Sequence, residues 1–201
     1  MKTRNIFTAI ILSFTFIIVY NLSAFSYYCQ TIRNDVVRLH ILANSDSQED
    51  QELKLKVRDA VLSEAELLTE SVSSHEEALF IISSETDIIC EIARKVINQN
   101  GYDYSVSAET VTEYFSTREY DGITIPAGRY NAIRITIGEG KGKNWWCMMF
   151  PSVCIPAADG NSIENVFNES QKNVTMNTSE YIIRFRIVEY FEMLKHRFSD
   201  D

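Results

Sequence analysis

Residues 36–61 read VVRLHILANSDSQEDQELKLKVRDAV, and the repeat period changes partway through them. Over 36–42, Val37, Leu39 and Ile41 alternate with Arg38 and His40, the period of a strand with unlike faces. Ser45, Asp46 and Ser47 then offer side-chain oxygens for a helix start, and Glu49 and Asp50 sit where the helix dipole favours negative charge. Beyond them Leu53, Val57, Ala60, Val61, Ala65 and Leu68 recur every three or four residues, so the spacing predicts a helix over about 48–69. Lys54, Lys56, Arg58 and Asp59 take its other faces.

The same reading extends along the chain. Ser73 and Ser74 precede a helix starting near His75, and Ile88, Ile89, Ile92, Ala93, Val96 and Ile97 predict another over about 86–99, closed by Asn100-Gly101. Tyr104, Val106 and Ala108 open a β pattern that reaches Phe115, and Ile133, Ile135 and Ile137 mark a strand over 130–137. GEGKGKN at 138–144 reads as a flexible hairpin loop, with Trp145–Phe150 returning beside the strand before it. Residues 157–179 are polar and read as a long surface loop; Ile183, Phe185 and Ile187 then alternate as a final strand running into a helix. The expected fold is α+β: two layers, a mainly antiparallel sheet of about four or five strands, and three or four helices packed on it.

The first 26 residues differ from the rest. Lys2 and Arg4 precede an uncharged apolar run from Ile6 to Tyr20, and all 28 acidic residues follow it. That is the layout of an export signal, read either as a signal peptide or as a signal anchor over 1–26. Residues 27–201 are then a single exported domain with 17 basic and 28 acidic side chains, a formal −11. Such an acidic surface does not suit nucleic acid, whose phosphates call for excess Lys and Arg. The membrane is met only through the N-terminal segment.

Export gives the cysteines an oxidising setting in which Cys147 and Cys154 can close a short loop. Cys90 reads as a small buried hydrophobe and Cys29 as lying near the processing point. No CxxC or HxxxH spacing supports a metal site, and GEGKGKN lacks the Gly-Lys-Ser/Thr of a phosphate loop, so neither metal nor cofactor is expected. Cys147 with His40, oriented by Asp46 or Asn44, is the one candidate for thiol hydrolysis. Its rival is a binding surface: adjacent Trp145 and Trp146 on a strand point to opposite faces, and the ring that leaves the core, assigned to Trp145, can anchor a partner.

RLHILANSDSQEDQELKLKVRDAV at 38–61, and PAGRYNAIRITIGEGKGKNWWCMMFPSVC at 126–154, resemble the stage II sporulation protein R family of endospore-forming bacteria. The resemblance rests on Arg38–His40, Ala43–Asp46, Asp50–Gln51, Leu53–Lys54 and Val57–Asp59, then on Pro126–Gly128, Asn144–Cys147, Pro151 and Cys154. It implies a non-enzymatic signal, made in the forespore and exported into the intermembrane space of the septum. There it would trigger a membrane-embedded aspartic protease that processes the sigma-E precursor in the mother cell. On that basis Trp145, His40, Asn44, Asp46 and Arg58 are the expected partner-binding residues, with Trp145 as anchor.

Overall fold

The computed structural model describes residues 2–120, 122–151 and 166–199. In chain order the elements are α1 (Lys2–Asn34), β1 (Val37–Leu42), α2 (Gln48–Thr69), α3 (His75–Ser84), α4 (Thr86–Gln99), β2 (Val106–Phe115), β3 (Arg118–Tyr120), β4 (Ile123–Ile125), β5 (Gly128–Ile137), β6 (Asn144–Phe150), α5 (Glu169–Met176) and α6 (Thr178–Ser199). The expected α+β fold is present. A four-stranded sheet runs β2-β5-β1-β6, and β3 and β4 form a separate two-stranded ribbon. Two of the three pairings in the main sheet are antiparallel; the central β1–β5 pair is parallel.

α2 begins where its cap chemistry puts it, with the Ser47 hydroxyl accepting the Asp50 N–H at 3.2 Å. Ser74 does the same for α3 through the Glu77 N–H at 3.3 Å. One face of the sheet (Val37, Leu39, Ile41, Ile133, Ile135, Ile137, Cys147) is sealed by the apolar stripes of α2, α3 and α4. That is the main core. The opposite face carries a second core, in which Phe25, Cys29 and Ile32 from the C-terminal half of α1 meet Phe115, Tyr130, Ala132 and Met148 from the sheet and Phe185 and Val188 from α6.

Four elements differ from the sequence reading. α1 runs on past residue 26 as one helix; its apolar residues from Ile6 to Tyr20 are exposed, whereas Phe25, Cys29 and Ile32 are buried. β6 does not pair with β5: β1 lies between them, so residues 138–143 cross the end of β1 instead of forming a hairpin. Local turn chemistry carries no information about a strand inserted from 90 residues upstream. Residues 169–176 form a helix within the expected loop, started by a capping box in which Asn168 and Gln171 bond each other's backbone N–H. Residues 157–165 of that loop lie outside the described residues.

The fourth difference is the final strand, which is helical throughout. Phe185 and Val188 point into the second core while Ile183 and Ile187 face outward, so a helix apolar on two opposite sides mimics alternation over 183–187.

Candidate functional site

The candidate residues gather at one end of the sheet, where β1 finishes, β6 begins, and the 43–47 and 138–143 loops meet. Successive β1 side chains alternate faces, so Leu39 and Ile41 enter the main core while Arg38 and His40 turn to the other side. His40 Nδ1 is 2.7 Å from Glu113 Oε1 on β2, and Nε2 is 3.0 Å from Asn144 Oδ1 on β6. Its ring stacks on Trp146 at 4.0 Å between centroids and 10° between planes. Arg134 on β5 bonds Glu109 at 2.9 Å and lies 3.6 Å from Glu113. A polar row of Glu113, Arg134, His40 and Asn144 therefore crosses all four strands and ends at the β6 edge.

Trp145 points the other way, towards α2 at the rim of the main core. The Arg58 guanidinium stands 4.5 Å over its ring and also bonds Asp59 at 2.7 Å. The Trp145 Nε1–H is buried without an acceptor. The two tryptophans thus flank one edge strand, one ring per face, each stacked on a cationic or aromatic partner from the first sequence block. Both rings are half-buried, so the expected division into a core Trp146 and a free Trp145 gives way to two partly covered rings.

Asn44 and Asp46 hold the adjacent loops together. Asn44 donates from Nδ2 to Asp50 Oδ2 at 2.9 Å and accepts the Glu139 N–H at 3.0 Å. Asp46 accepts the Lys143 N–H at 2.7 Å, and the buried Lys54 ammonium donates to the Lys143 carbonyl at 2.9 Å and to Gln51 Oε1 at 2.6 Å. A side chain at Gly142 would run into the Ser45 carbonyl oxygen, and Gly138 has a φ of 58° next to Asn44, so the glycines allow this close approach. GEGKGKN is a latched crossover, not a flexible hairpin. Burial alone would raise the Asp50 carboxyl pKa, but hydrogen bonds from Ser45, Asn44 and Tyr104 outweigh it and hold the group below the usual carboxylate range. Burial, partly offset by Asp46, lowers the pKa of Lys54.

His40, Trp145 and Arg58 therefore sit around the start of β6, and Asn44 and Asp46 fix the loops that present it. The thiol pair is not assembled, because Cys147 is wholly buried in the main core opposite Leu39 while His40 faces the other side of the sheet. Cys29 and Cys90 are free thiols; the pairing expected for Cys147 involves Cys154, which lies outside the described residues. Among the described residues no group of three or more His, Cys, Asp or Glu side chains is placed to hold a metal.

Arg38 is a residue that sequence reading passed over. It is fully buried, with its guanidinium 4.5 Å from the Phe115 ring, 5.1 Å from Tyr130 and 5.5 Å from Tyr120. Nη2 donates to the Tyr120 hydroxyl at 2.8 Å, while Nε and Nη1 have no acceptor. Burial lowers its pKa. Its strand alternation marked a polar, solvent-facing side, and only the second core turns that side inward.

A family model described as stage II sporulation protein R matches residues 33–159. The stage II sporulation protein R of Bacillus subtilis (strain 168) is 38% identical over 152 residues, covering 76% of this chain and 67% of that protein. No solved structure matches the chain. The matched span contains every residue of the site just described, and it leaves out the exposed apolar half of α1 and all of α6.

Proposed function

The chain belongs to the stage II sporulation protein R family, and we propose that it acts as an exported signal that docks on a membrane-embedded aspartic protease and switches it on. The protease then cuts the sigma-E precursor in the mother cell. One observation carries the docking reading: Trp145 and Trp146 bracket an edge strand at the latched end of the sheet, with Arg58 and His40 stacked on them. Half-buried aromatic and Arg side chains at a rigid rim make binding anchors at low entropic cost. The edge strand adds backbone groups that a partner strand can pair with.

Activation by docking is a population shift. The chain must bind the active state of the protease more tightly than the resting state, since equal affinity for both moves nothing. Asn44, Asp46 and Lys54 contribute by fixing the rim before the encounter. A Cys147–Cys154 disulfide would clip the segment that leaves β6, so Cys147→Ser and Cys154→Ala should lower activity alike. A nucleophile would make Cys147→Ser alone silent.

The localisation we propose is the intermembrane space of the septum, with α1 carrying the chain there. α1 is long and apolar enough to cross a membrane, and its exposed apolar stretch fits either an export signal or an anchor. The deciding experiment mixes purified full chain with membranes that hold the protease and the precursor. Precursor cleavage is expected with the native chain and absent with Arg58→Ala/Trp145→Ala, while circular dichroism shows that variant folded. Undiminished cleavage by the folded double variant rejects the assigned surface.

A further inference from the structure

α6 buries one side and leaves the other uncovered, and the docking site uses neither. Phe185 and Val188 enter the second core. On the outer side Ile183 is 74% exposed, and Ile187, Tyr190, Phe191 and Phe198 are exposed with it. Scattered apolar residues are ordinary on a surface, but these share one helical stripe and make a patch.

The stripe has a regular period. Glu180, Ile183, Ile187, Tyr190, Leu194 and Arg197 recur at alternating steps of three and four residues, the spacing of a seam between two helices. Four apolar positions occupy its middle and a charge stands at each end, acidic in the first turn and basic in the last. Among the described residues neither Glu180 nor Arg197 has an ion-pair partner. The other charges of α6 lie off the seam. The Arg184 guanidinium stands 5.2 Å from the Tyr181 ring, and Arg186 meets Glu189 at 3.2 Å, whose other oxygen accepts the Thr117 N–H. Glu192, Lys195 and His196 line a cavity with Arg33 of α1, and Glu192 pairs with that Arg at 3.3 Å.

A second helix carrying the same seam can lie on this one in two directions. Parallel, Glu180 meets Glu180 and Arg197 meets Arg197, so like charges face each other at both ends. Antiparallel, each Glu180 meets the other chain's Arg197, Ile183 meets Leu194 and Ile187 meets Tyr190, with every contact repeated by the two-fold axis. The helix dipoles then oppose each other as well. Arg184 falls beside Phe191 of the second copy and Arg186 beside Met193, so like charges are not nearest neighbours on either flank.

We propose that α6 pairs antiparallel with α6 of a second copy of this chain, through Ile183, Ile187, Tyr190 and Leu194, with Glu180 against Arg197 at both ends. Phe25 lies at Tyr181 and Phe185 while Arg33 lies at Glu192, so α1 runs in the same direction as α6. Its exposed apolar run therefore projects past the start of α6, and an antiparallel pair sends the two runs to opposite ends. Chains inserted side by side in one bilayer cannot form this pair; chains that have left the bilayer can. Pairing does not depend on what the docking site binds.

The test uses full-length chain carrying Cys90→Ser, in a mild non-ionic detergent that covers the exposed run of α1. Ile183→Cys and Leu194→Cys are made as separate chains, and disulfides form in a glutathione buffer. Mixing the two should give a mixed disulfide roughly tenfold or more above the homodisulfide of either chain alone, because each Cys is held against the other and not against its own copy. Sedimentation should show a dimer for the Cys90→Ser chain, and Glu180→Arg should weaken it roughly fivefold, since both end pairs become like charges. Glu180→Arg/Arg197→Glu restores opposite charges at both ends and should recover the dimer. All the substituted positions except the half-buried Leu194 are exposed or partly exposed, and circular dichroism checks that each variant is folded. The proposal is overturned if the Cys90→Ser chain is a monomer at every concentration, or if homodisulfides form as readily as the mixed one. It is also overturned if Glu180→Arg leaves the dimer as tight as before, or if the double charge exchange fails to restore what Glu180→Arg loses.

Discussion

Phe25 tests whether the second half of α1 is part of the folded body. Its side chain is 2% exposed, clamped between the stacked ring of Tyr181 at 5.6 Å and the edge-on ring of Phe185 at 5.1 Å. Replacing a core Phe with Ala costs about 3–5 kcal/mol through lost burial and the cavity left behind. The upper part of that range is expected here, because each ring contact is worth roughly 0.5–1.5 kcal/mol beyond area. For a domain of this size that is a fall in Tm of roughly 6–20 °C. The assay is thermal unfolding, followed by circular dichroism, of a chain beginning at Leu22, with and without Phe25→Ala. A chain beginning at Tyr27 should lose at least as much, so any processing in the cell should fall before Phe25, which N-terminal mass analysis of the protein recovered from cells can check. If Phe25→Ala shifts stability by less than about 1 kcal/mol, or the Tyr27 chain melts with the Leu22 chain, residue 26 is a true boundary and the second core is misread.

Four further outcomes are expected. A double-mutant cycle on Arg58 and Trp145 should give a coupling of about 0.5–1 kcal/mol, the size of a partly exposed cation–π contact; zero coupling removes that pair from the rim. Asp50→Ala should cost about 1–3 kcal/mol and loosen the 138–143 crossover in hydrogen exchange; because the folded Asp50 pKa is depressed, its contribution is present above the unfolded value and is lost as pH falls through the folded one. Burial pushes the Cys29 thiol up to about 12, so alkylation at pH 8 should modify Cys90 and spare Cys29, and the stability tied to the neutral thiol should hold below about pH 9 and fade as pH rises towards 12. Arg38→Met should raise the urea midpoint by the equivalent of about 1–2 kcal/mol, since it relieves two buried N–H groups without acceptors while Tyr120 keeps its bond to the Trp146 carbonyl; a lower midpoint means the aromatic cage outweighs that burden.

Much of the main core was legible because its periods are clean. Val37, Leu39 and Ile41 alternate, Leu53, Val57 and Val61 repeat at helical spacing, and both segments bury those residues. What stayed hidden depends on contacts far apart in sequence. The parallel β1–β5 pair inserts β1 beside a strand about 95 residues away, and no local turn signal reports it. Arg38 and His40 sit on the polar side of an alternating strand, yet Phe115, Tyr120 and Tyr130 enclose Arg38, and the His40 row spans four strands that the sequence lists apart. Residues 183–187 carry apolar groups on opposite sides of a helix, a pattern with the period of a strand. Asn44 and Asp46 were visible as polar residues before a helix, but their use as a latch needs Glu139 and Lys143 from the other loop.

The claim on which the function rests is that the chain acts by occupancy and not by chemistry of its own. Vesicles that hold the protease and the sigma-E precursor, titrated with purified chain and then washed free of it, measure this directly. Occupancy predicts processing that rises with bound chain, saturates when chain and protease are equimolar, and stops on washing. Full processing at trace chain far below the protease concentration, or processing that continues after the chain is removed, contradicts it.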